Sequence, residues 1–478
     1  MSAAAMRLLL ARPRVPAPLD PNFAPLMLAK RSYLATLGSQ SRDLLSWALT
    51  RPGGCARGSL QVCKEGADVD ASVYLAGILI HEMIWQRGAS SLRLCGPDNI
   101  CQELRSAFSI GGKYTYEAKT MPQVCGTPDM PFSVGIVAKV EELPPESDTP
   151  VEFGQASLGS RIAFDFGVNS VKVAQVVEND ILDVKETPWS DSHSEPQHYV
   201  DAFLTTAKDA AIGLASVDAM GGAICGTVSA QNEVTWSGVF PHVQPSDYKD
   251  TVAPMFQNAA KELGVPALKV LNEGEVDAIA GVLMIKEGNL LSVCLGGSES
   301  AGYCKEHKVM DWINELSYAT FDLNPTASAD PRSTGHSGTL HSYLGTLGAT
   351  KLAKAAGLDL PQDLPQGKIL QQIQEAMADP EQEPCIRLIF ETIGVYLGYA
   401  VAQYAQGCPL QHVLLHGEVC AAPGGMVICD KAKEVLATEF PEIAHIRFHF
   451  PDETFQRTGR LLAAAALPPP HPDAFASV

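Results

Sequence analysis

The segment Arg161-Ile-Ala-Phe-Asp-Phe-Gly-Val-Asn-Ser-Val-Lys-Val-Ala-Gln-Val176 constrains the fold of this chain more than any other. Ile162, Ala163 and Phe164 make an apolar strand that runs into a carboxylate at Asp165. Gly167, Asn169 and Ser170 supply a tight turn, and Val171, Val173 and Val176 open a second strand with Lys172 at its start. Two apolar strands joined this closely commit the region to a sheet. A carboxylate at a strand end can hold a water of Mg²⁺, and turn N–H groups can face phosphate oxygens. The same residues equally suit an ordinary β-hairpin.

A chain of 478 residues exceeds one ordinary core, so two or three domains are expected. Hydrophobic residues make up 46% of the sequence, and no run of ~18 uncharged apolar residues predicts a membrane span. A net charge of −19 argues against nucleic acid or anionic lipid as a general partner. The 12 cysteines are scattered without a CxxC pair, and most have apolar neighbours, as Cys294 does. That pattern fits reduced, core-filling cysteine in a cytoplasmic compartment and lacks metal-ligand spacing. Residues 1–18 carry Arg7, Arg12 and Arg14 and no acid; they read as a disordered extension or a weak transit segment for an organelle.

Residues 19–150 read as a small mixed α/β domain. It has a helix over Ala71–Arg87, a strand at Ser91–Cys95, a helix over Asn99–Phe108 and a strand at Pro131–Val140. The acidic, Pro-rich Glu141–Pro150 reads as a linker. Residues 151–268 then run strand, strand, strand, helix, strand, and residues 269–453 restart that order at Leu290–Cys304. Residues 454–467 read as a closing helix that returns to the first lobe, and 468–478 as a disordered tail. The repeated order suggests a distant internal duplication and resembles the two halves of an actin-like nucleotide-binding fold.

Three Gly-bearing turns carry the resemblance further. They are Asp165–Ser170, Leu295-Gly-Gly-Ser-Glu-Ser-Ala-Gly302 and Leu415-His-Gly-Glu-Val-Cys-Ala-Ala-Pro-Gly-Gly425. In this order they resemble the two phosphate loops and the adenosine loop of the sugar kinase, heat-shock ATPase and actin superfamily. Within it the chain resembles the ROK family (repressors, open reading frames and sugar kinases). It looks most like a branch with an added N-terminal domain. Leu19-Asp-Pro-Asn-Phe23, Leu28-Ala-Lys-Arg31, Val270-Leu-Asn-Glu-Gly-Glu-Val276 and Thr392-Ile-Gly-Val-Tyr-Leu-Gly-Tyr399 carry that likeness, which spans roughly residues 19–467.

The resemblance implies a two-lobed actin-like ATPase (ribonuclease H-like) α/β fold that binds ATP, Mg²⁺ and a small-molecule sugar, with a homodimer compatible. Asp165 would orient Mg²⁺ through water, with Gly167, Asn169 and Lys172 bordering the phosphates. Gly296, Gly297 and Ser298 would cradle the β/γ-phosphates, and Gly417, Gly424 and Gly425 would flank adenosine. Asn272 and Glu315 would contact the sugar. Glu273 would be the general base that accepts the hydroxyl proton as the γ-phosphoryl group moves.

The chain also departs from the family pattern. Glu273 stands where the base is Asp, Val168 replaces a Gly, Asn169 replaces a Thr, and Glu299 follows the second phosphate loop. A Cβ at 168 limits backbone approach to phosphate, and a carboxylate at 299 would repel a triphosphate unless it bound metal. Asp277 reads as a solvated helix carboxylate or a weaker base. Tyr318 stands where the family's zinc-binding His would be, and Ser333–Gly338 replaces its Cys cluster, so no structural zinc is expected. His336 and His341 read as members of a Gly/Ser-rich loop. Two functions follow: an ATP-dependent sugar kinase, or a catalytically degenerate sugar- or nucleotide-binding protein. A DNA-binding repressor is disfavoured because residues 20–150 show no basic recognition helix.

Overall fold

The structure, a computed structural model, describes all residues except 1–5, 8, 38–41, 64, 67, 155–158, 190–194, 241–242, 360–363, 454 and 470–478. Three sheets organise it. In the first, β1 (Arg42–Arg51) and β2 (Gly54–Cys63) form a hairpin with Arg42 opposite Cys63. β3 (Ser91–Cys95), β4 (Ser133–Ile136) and β5 (Ser147–Asp148) complete the order β4-β3-β1-β2-β5. The helix Val69–Arg87 lies on this sheet and buries Leu75, Ile78, Ile84 and Trp85 in the same core as Leu45, Trp47 and Leu49.

The second sheet holds β7 (Ser160–Phe166), β8 (Ser170–Val177), β9 (Asp180–Pro188), β10 (Ala219–Ile224) and β13 (Leu268–Asn272) in the order β13-β10-β7-β8-β9. A separate small hairpin is made by β11 (Gly226–Val228) and β12 (Val234–Ser237). The third sheet is β18-β17-β14-β15-β16-β6. Its strands are β6 (Pro150–Glu152), β14 (Leu290–Leu295), β15 (Glu299–Lys305), β16 (Lys308–Met310), β17 (His412–His416) and β18 (Arg447–His449).

The two larger sheets repeat one plan. A central strand, β7 or β14, is antiparallel to the strand that follows it and parallel to a later one, β10 or β17. The antiparallel neighbour needs only a tight turn, whereas the parallel one needs a long crossover. Strand Leu268–Asn272 pairs with β10, so the first lobe's sheet runs to Asn272, four residues beyond the expected edge at 268.

Three other expectations change. Leu9 is buried in the core of the first sheet, Val15 and Ala17 in that of the second lobe, and Arg14 pairs with Glu439 at 3.2 Å, so the described part of 1–18 packs on both and is not a disordered extension. The strand expected over 131–140 is limited to Ser133–Ile136 and gives way to a 3₁₀ turn at Val140–Glu142. The acidic linker is stitched into two sheets, with Asp148 opposite Gly54 and Pro150 opposite Met310. Asp148 accepts from Arg51 (3.1 Å), Arg87 (3.3 Å) and Trp312 (2.8 Å), so part of that acidity is internal pairing. The helix Glu383–Tyr404 is long and apolar enough to cross a membrane, but 78% of its apolar window is buried inside the protein. Its Phe390, Ile393, Leu397 and Val401 belong to the second lobe's core. The tail expected from 468 lies outside the described residues from 470 onward.

Candidate functional site

Asp165 is the penultimate residue of β7 and lies opposite Lys172 on β8. The turn between them is pinned from outside. Trp189 donates its backbone N–H to the Asn169 carbonyl (2.9 Å) and its indole N–H to the Val168 carbonyl (2.8 Å). A Cβ on Gly167 would stand 3.4 Å from the Ser170 carbonyl oxygen, an ordinary contact, and the Val168 side chain is exposed. Lys172 reaches Glu186 at 3.9 Å across the exposed face.

Asn272 ends β13 and caps the helix Glu273–Ile285, its Oδ1 accepting from the Gly274 N–H at 2.8 Å. A side-chain cap of this kind satisfies one of the orphan donors of the first turn. Its Nδ2 donates to the Gly226 carbonyl (2.9 Å) and to Glu315 Oε1 (3.3 Å). Asn272 and Glu315, 43 residues apart, are therefore in contact. The helix sits close on β15: a Cβ on Gly302 would lie 2.0 Å from the Gly274 carbonyl oxygen. Burial raises the Glu273 carboxyl, and Arg460 works in the opposite direction. Burial also pushes Glu315 up to about 8, helped by the Glu273 charge.

The centre of the site is a residue that the sequence reading passed over. Arg460 opens the closing helix Arg460–Ala466, which lies directly on β10, where a Cβ on Gly221 would overlap the Ala464 carbonyl. Arg460 Nη1 donates to both oxygens of Asp165 at 3.1 Å. Nε and Nη2 donate to the two oxygens of Asp277 at 2.8 and 2.6 Å, and Nη1 stands 3.6 Å from Glu273. The three surrounding carboxylates raise its pKa against the effect of burial. Asp277 is buried and held by two hydrogen bonds, which corrects its reading as a solvated helix carboxylate. His416 Nε2 lies 3.7 Å from Asp277 and 2.9 Å from Ser292 Oγ. Nothing local in the sequence marks Arg460 or His416; each becomes visible only when the lobes are assembled.

The glycine loops take different places. Ser298 Oγ meets His341 Nδ1 at 2.7 Å, and the Gly296 carbonyl accepts from Thr346 N–H (2.8 Å) and hydroxyl (3.0 Å) at the start of the helix Gly345–Ala355. Gly297 has open space beside it. Gly417, at φ +98°, sits against the Leu295 backbone. Gly424 and Gly425 are buried in the helix Ala422–Glu439, packed on Phe390 and on the Cys420 carbonyl. Glu299 turns inward: its Oε1 accepts from the Tyr404 hydroxyl at 2.7 Å, and burial pushes it up to about 7. The expected repulsion between Glu299 and a triphosphate therefore does not arise.

A cavity of about 540 Å³ lies over this cluster, lined among others by Asp165, Lys172, Asp277, His416, Gly417 and Arg460. Asn272 lines a different cavity of about 480 Å³ beside Arg51, Lys269 and Glu275, and the two share no lining residue.

Solved structures share this architecture. A ROK-family transcriptional regulator, a homologue of the E. coli MLC protein, matches with a TM-score of 0.52 and 16% identity over 65% of this chain and 78% of its own. The fold is that of the ROK family. A ROK-family glucokinase from Streptomyces griseus, solved with glucose and AMPPNP, matches with a TM-score of 0.48 and 16% identity over 65% of this chain and 99% of its own. A ROK hexokinase from Thermus thermophilus gives 0.47 and 16% over 64% and 97%. No family model and no curated protein matches the sequence.

Within this ROK fold, Mg²⁺ does not fit beside Asp165 while Arg460 is in place. Both carboxylate oxygens already accept from the guanidinium, and Asp277 and Glu273 face the same positive charge. A divalent ion there would meet a fixed cation within a few ångströms, which the low-dielectric surroundings penalise.

Proposed function

We propose that this protein binds a sugar or a nucleotide in the cleft of a sugar-kinase fold and does not transfer phosphate in the state seen here. The observation that carries this reading is the Arg460 guanidinium on Asp165, Asp277 and Glu273. Phosphoryl transfer depends mainly on positioning and on metal charge spread over the transferring group. Here the carboxylate expected to serve the metal is neutralised from within. Lys172 on the wall of the cavity over Asp165 supports an anionic ligand, and Asn272, in contact with Glu315 and lining the other cavity, supports a hydroxylated one.

A second reading, an ATP-dependent sugar kinase with Glu273 as base, is favoured by one specific observation. Burial raises the Glu273 carboxyl, the direction that suits a group meant to accept a proton. For that chemistry Arg460 must release Asp165. An ADP-release assay over hexoses and amino sugars, with Glu273→Gln as control, separates the two readings. No turnover above the control supports the binding protein. Hexose-dependent, Mg²⁺-dependent turnover that Glu273→Gln abolishes establishes the kinase. Calorimetry with ATP should give equal affinity with and without Mg²⁺ on the first reading.

A further inference from the structure

Three side chains from distant parts of the chain converge in the interior, outside the lining of the cavity over Asp165. His81 comes from the helix Val69–Arg87, Glu117 from the helix Thr115–Val124, and His336 from the loop that follows Asp330. All three are buried, and one ligand atom from each lies within 4.8 Å of the others. His81 Nε2 is 3.0 Å from Glu117 Oε1, and His336 Nε2 is 3.0 and 3.1 Å from Oε1 and Oε2. Nitrogen and oxygen ligands at ~2.0–2.1 Å on a tetrahedral zinc stand ~3.3 Å apart, so these separations are close to those of a shared ion.

The cluster also has unanswered hydrogen-bonding and charge. Glu117 is a fully buried carboxylate whose partners among the described residues are two imidazoles and the Trp85 indole N–H at 3.0 Å, none with a fixed charge. A buried carboxylate without a cation is costly. His81 Nδ1 and the Tyr114 hydroxyl are buried without hydrogen-bond partners among the described residues, and the Tyr114 ring lies 5.3 Å from His81 and 5.6 Å from His336. If Nε2 of His81 carries the ring proton, Nδ1 is left as a buried, unanswered lone pair. If Nδ1 carries it, the Nε2 lone pair points at the carboxylate, an arrangement that a cation between them resolves. Trp85 donates its single N–H to both Glu117 Oε1 and His81 Nε2, so it cannot satisfy each fully.

We propose that His81, Glu117 and His336 bind one divalent transition-metal ion of the zinc class. The ion would clamp the N-terminal helices to the second lobe. Two imidazoles and a carboxylate are a donor set suited to zinc, with a fourth position left for water. This set differs from the His with clustered Cys discussed above. Tyr318 is no part of it, since its ring stacks on Trp85 at 4.0 Å and carries the Arg332 guanidinium at 3.4 Å. The clamp would sit one step from the sugar-facing residues, because the Trp85 carbonyl accepts from the Glu315 N–H at 3.0 Å.

The test uses the full chain, expressed with added zinc, dialysed against metal-free buffer and analysed by elemental mass spectrometry. The expected result is about one zinc per chain, falling at least about fivefold in Glu117→Gln and in His336→Asn. Cobalt loading of the unmutated chain should give the visible bands of a four-coordinate site, displaced by added zinc. This second readout stands even if a variant fails to fold. An unmutated chain that keeps no zinc after loading and shows no cobalt bands overturns the proposal and leaves a hydrogen-bond network only. Zinc retained undiminished in folded Glu117→Gln and His336→Asn also overturns it.

Discussion

Asp165, Glu273 and Asp277 share the guanidinium of Arg460, whereas Glu117 is enclosed by two imidazoles and an indole. The first cluster carries its cation on the chain itself. Arg stays charged at any ordinary pH and its planar fork matches carboxylates two at a time. The second cluster has only groups that are neutral or charged according to their surroundings. Glu299 offers a third arrangement: it has one hydrogen bond from Tyr404, and burial outweighs that bond and the Arg332 charge, raising its carboxyl to about 7 and favouring the protonated form. A buried carboxylate can thus be answered by a tethered cation, by a captured one, or by protonation. Which answer applies decides whether a site is open to metal.

The largest expected effect breaks the first arrangement. Arg460→Ala leaves three carboxylates facing one another in a largely buried site, and removing one partner of such a pair costs ~3–5 kcal/mol. Urea denaturation should show a loss of that order. Millimolar Mg²⁺ should then raise the melting temperature of the variant and leave that of the unmutated chain almost unchanged. If Mg²⁺ stabilises both equally, Arg460 does not close the site to metal, and the distinction between the two clusters fails.

A smaller effect sharpens the third arrangement. Burial raises Glu299 to about 7, so the native state holds its proton more tightly than the unfolded chain does. A raised pKa contributes stability that is complete below the unfolded value and is lost as pH rises through the folded one. Glu82, raised to about 7, and Glu275 and Glu315, each raised to about 8, act with the same sign. Stability should therefore decline between about pH 5 and about pH 9, and Glu299→Gln should remove ~1–3 kcal/mol of that decline. A slope identical in the variant would show that Glu299 is ionised and answered by a partner of its own.

How much of this was readable from the sequence follows from distance along the chain. The hairpin at Arg161–Val176 and its repeat at Leu290–Cys304 were legible because strand alternation and turn residues are local signals. Arg460 was not, because it lies 295 residues from Asp165 in an Ala-rich helix that looks like plain packing. His81 and His336 lie 36 and 219 residues from Glu117, with no ligand spacing to connect them. The inward turn of Glu299 depends on which face of β15 its side chain occupies, and on Tyr404 being there to meet it. The glycines at 424 and 425 read as loop residues, yet they serve close helix packing against Phe390 and the Cys420 carbonyl.

The smallest effect probes the cavity beside Arg460. Lys172 is about half exposed and 3.9 Å from Glu186, a pair that water screens well. Lys172→Ala should change stability by no more than ~0.5 kcal/mol. The same substitution removes a positive charge from the wall of the 540 Å³ cavity, next to the fixed Arg460 charge. Affinity for an anionic ligand, measured by calorimetry with ATP or inorganic phosphate, should fall by a factor of roughly 3 to 10 and become less sensitive to salt. A ligand that binds equally well to the variant does not place its charge at this end of the cleft, and the comparison then rests on Arg460 alone.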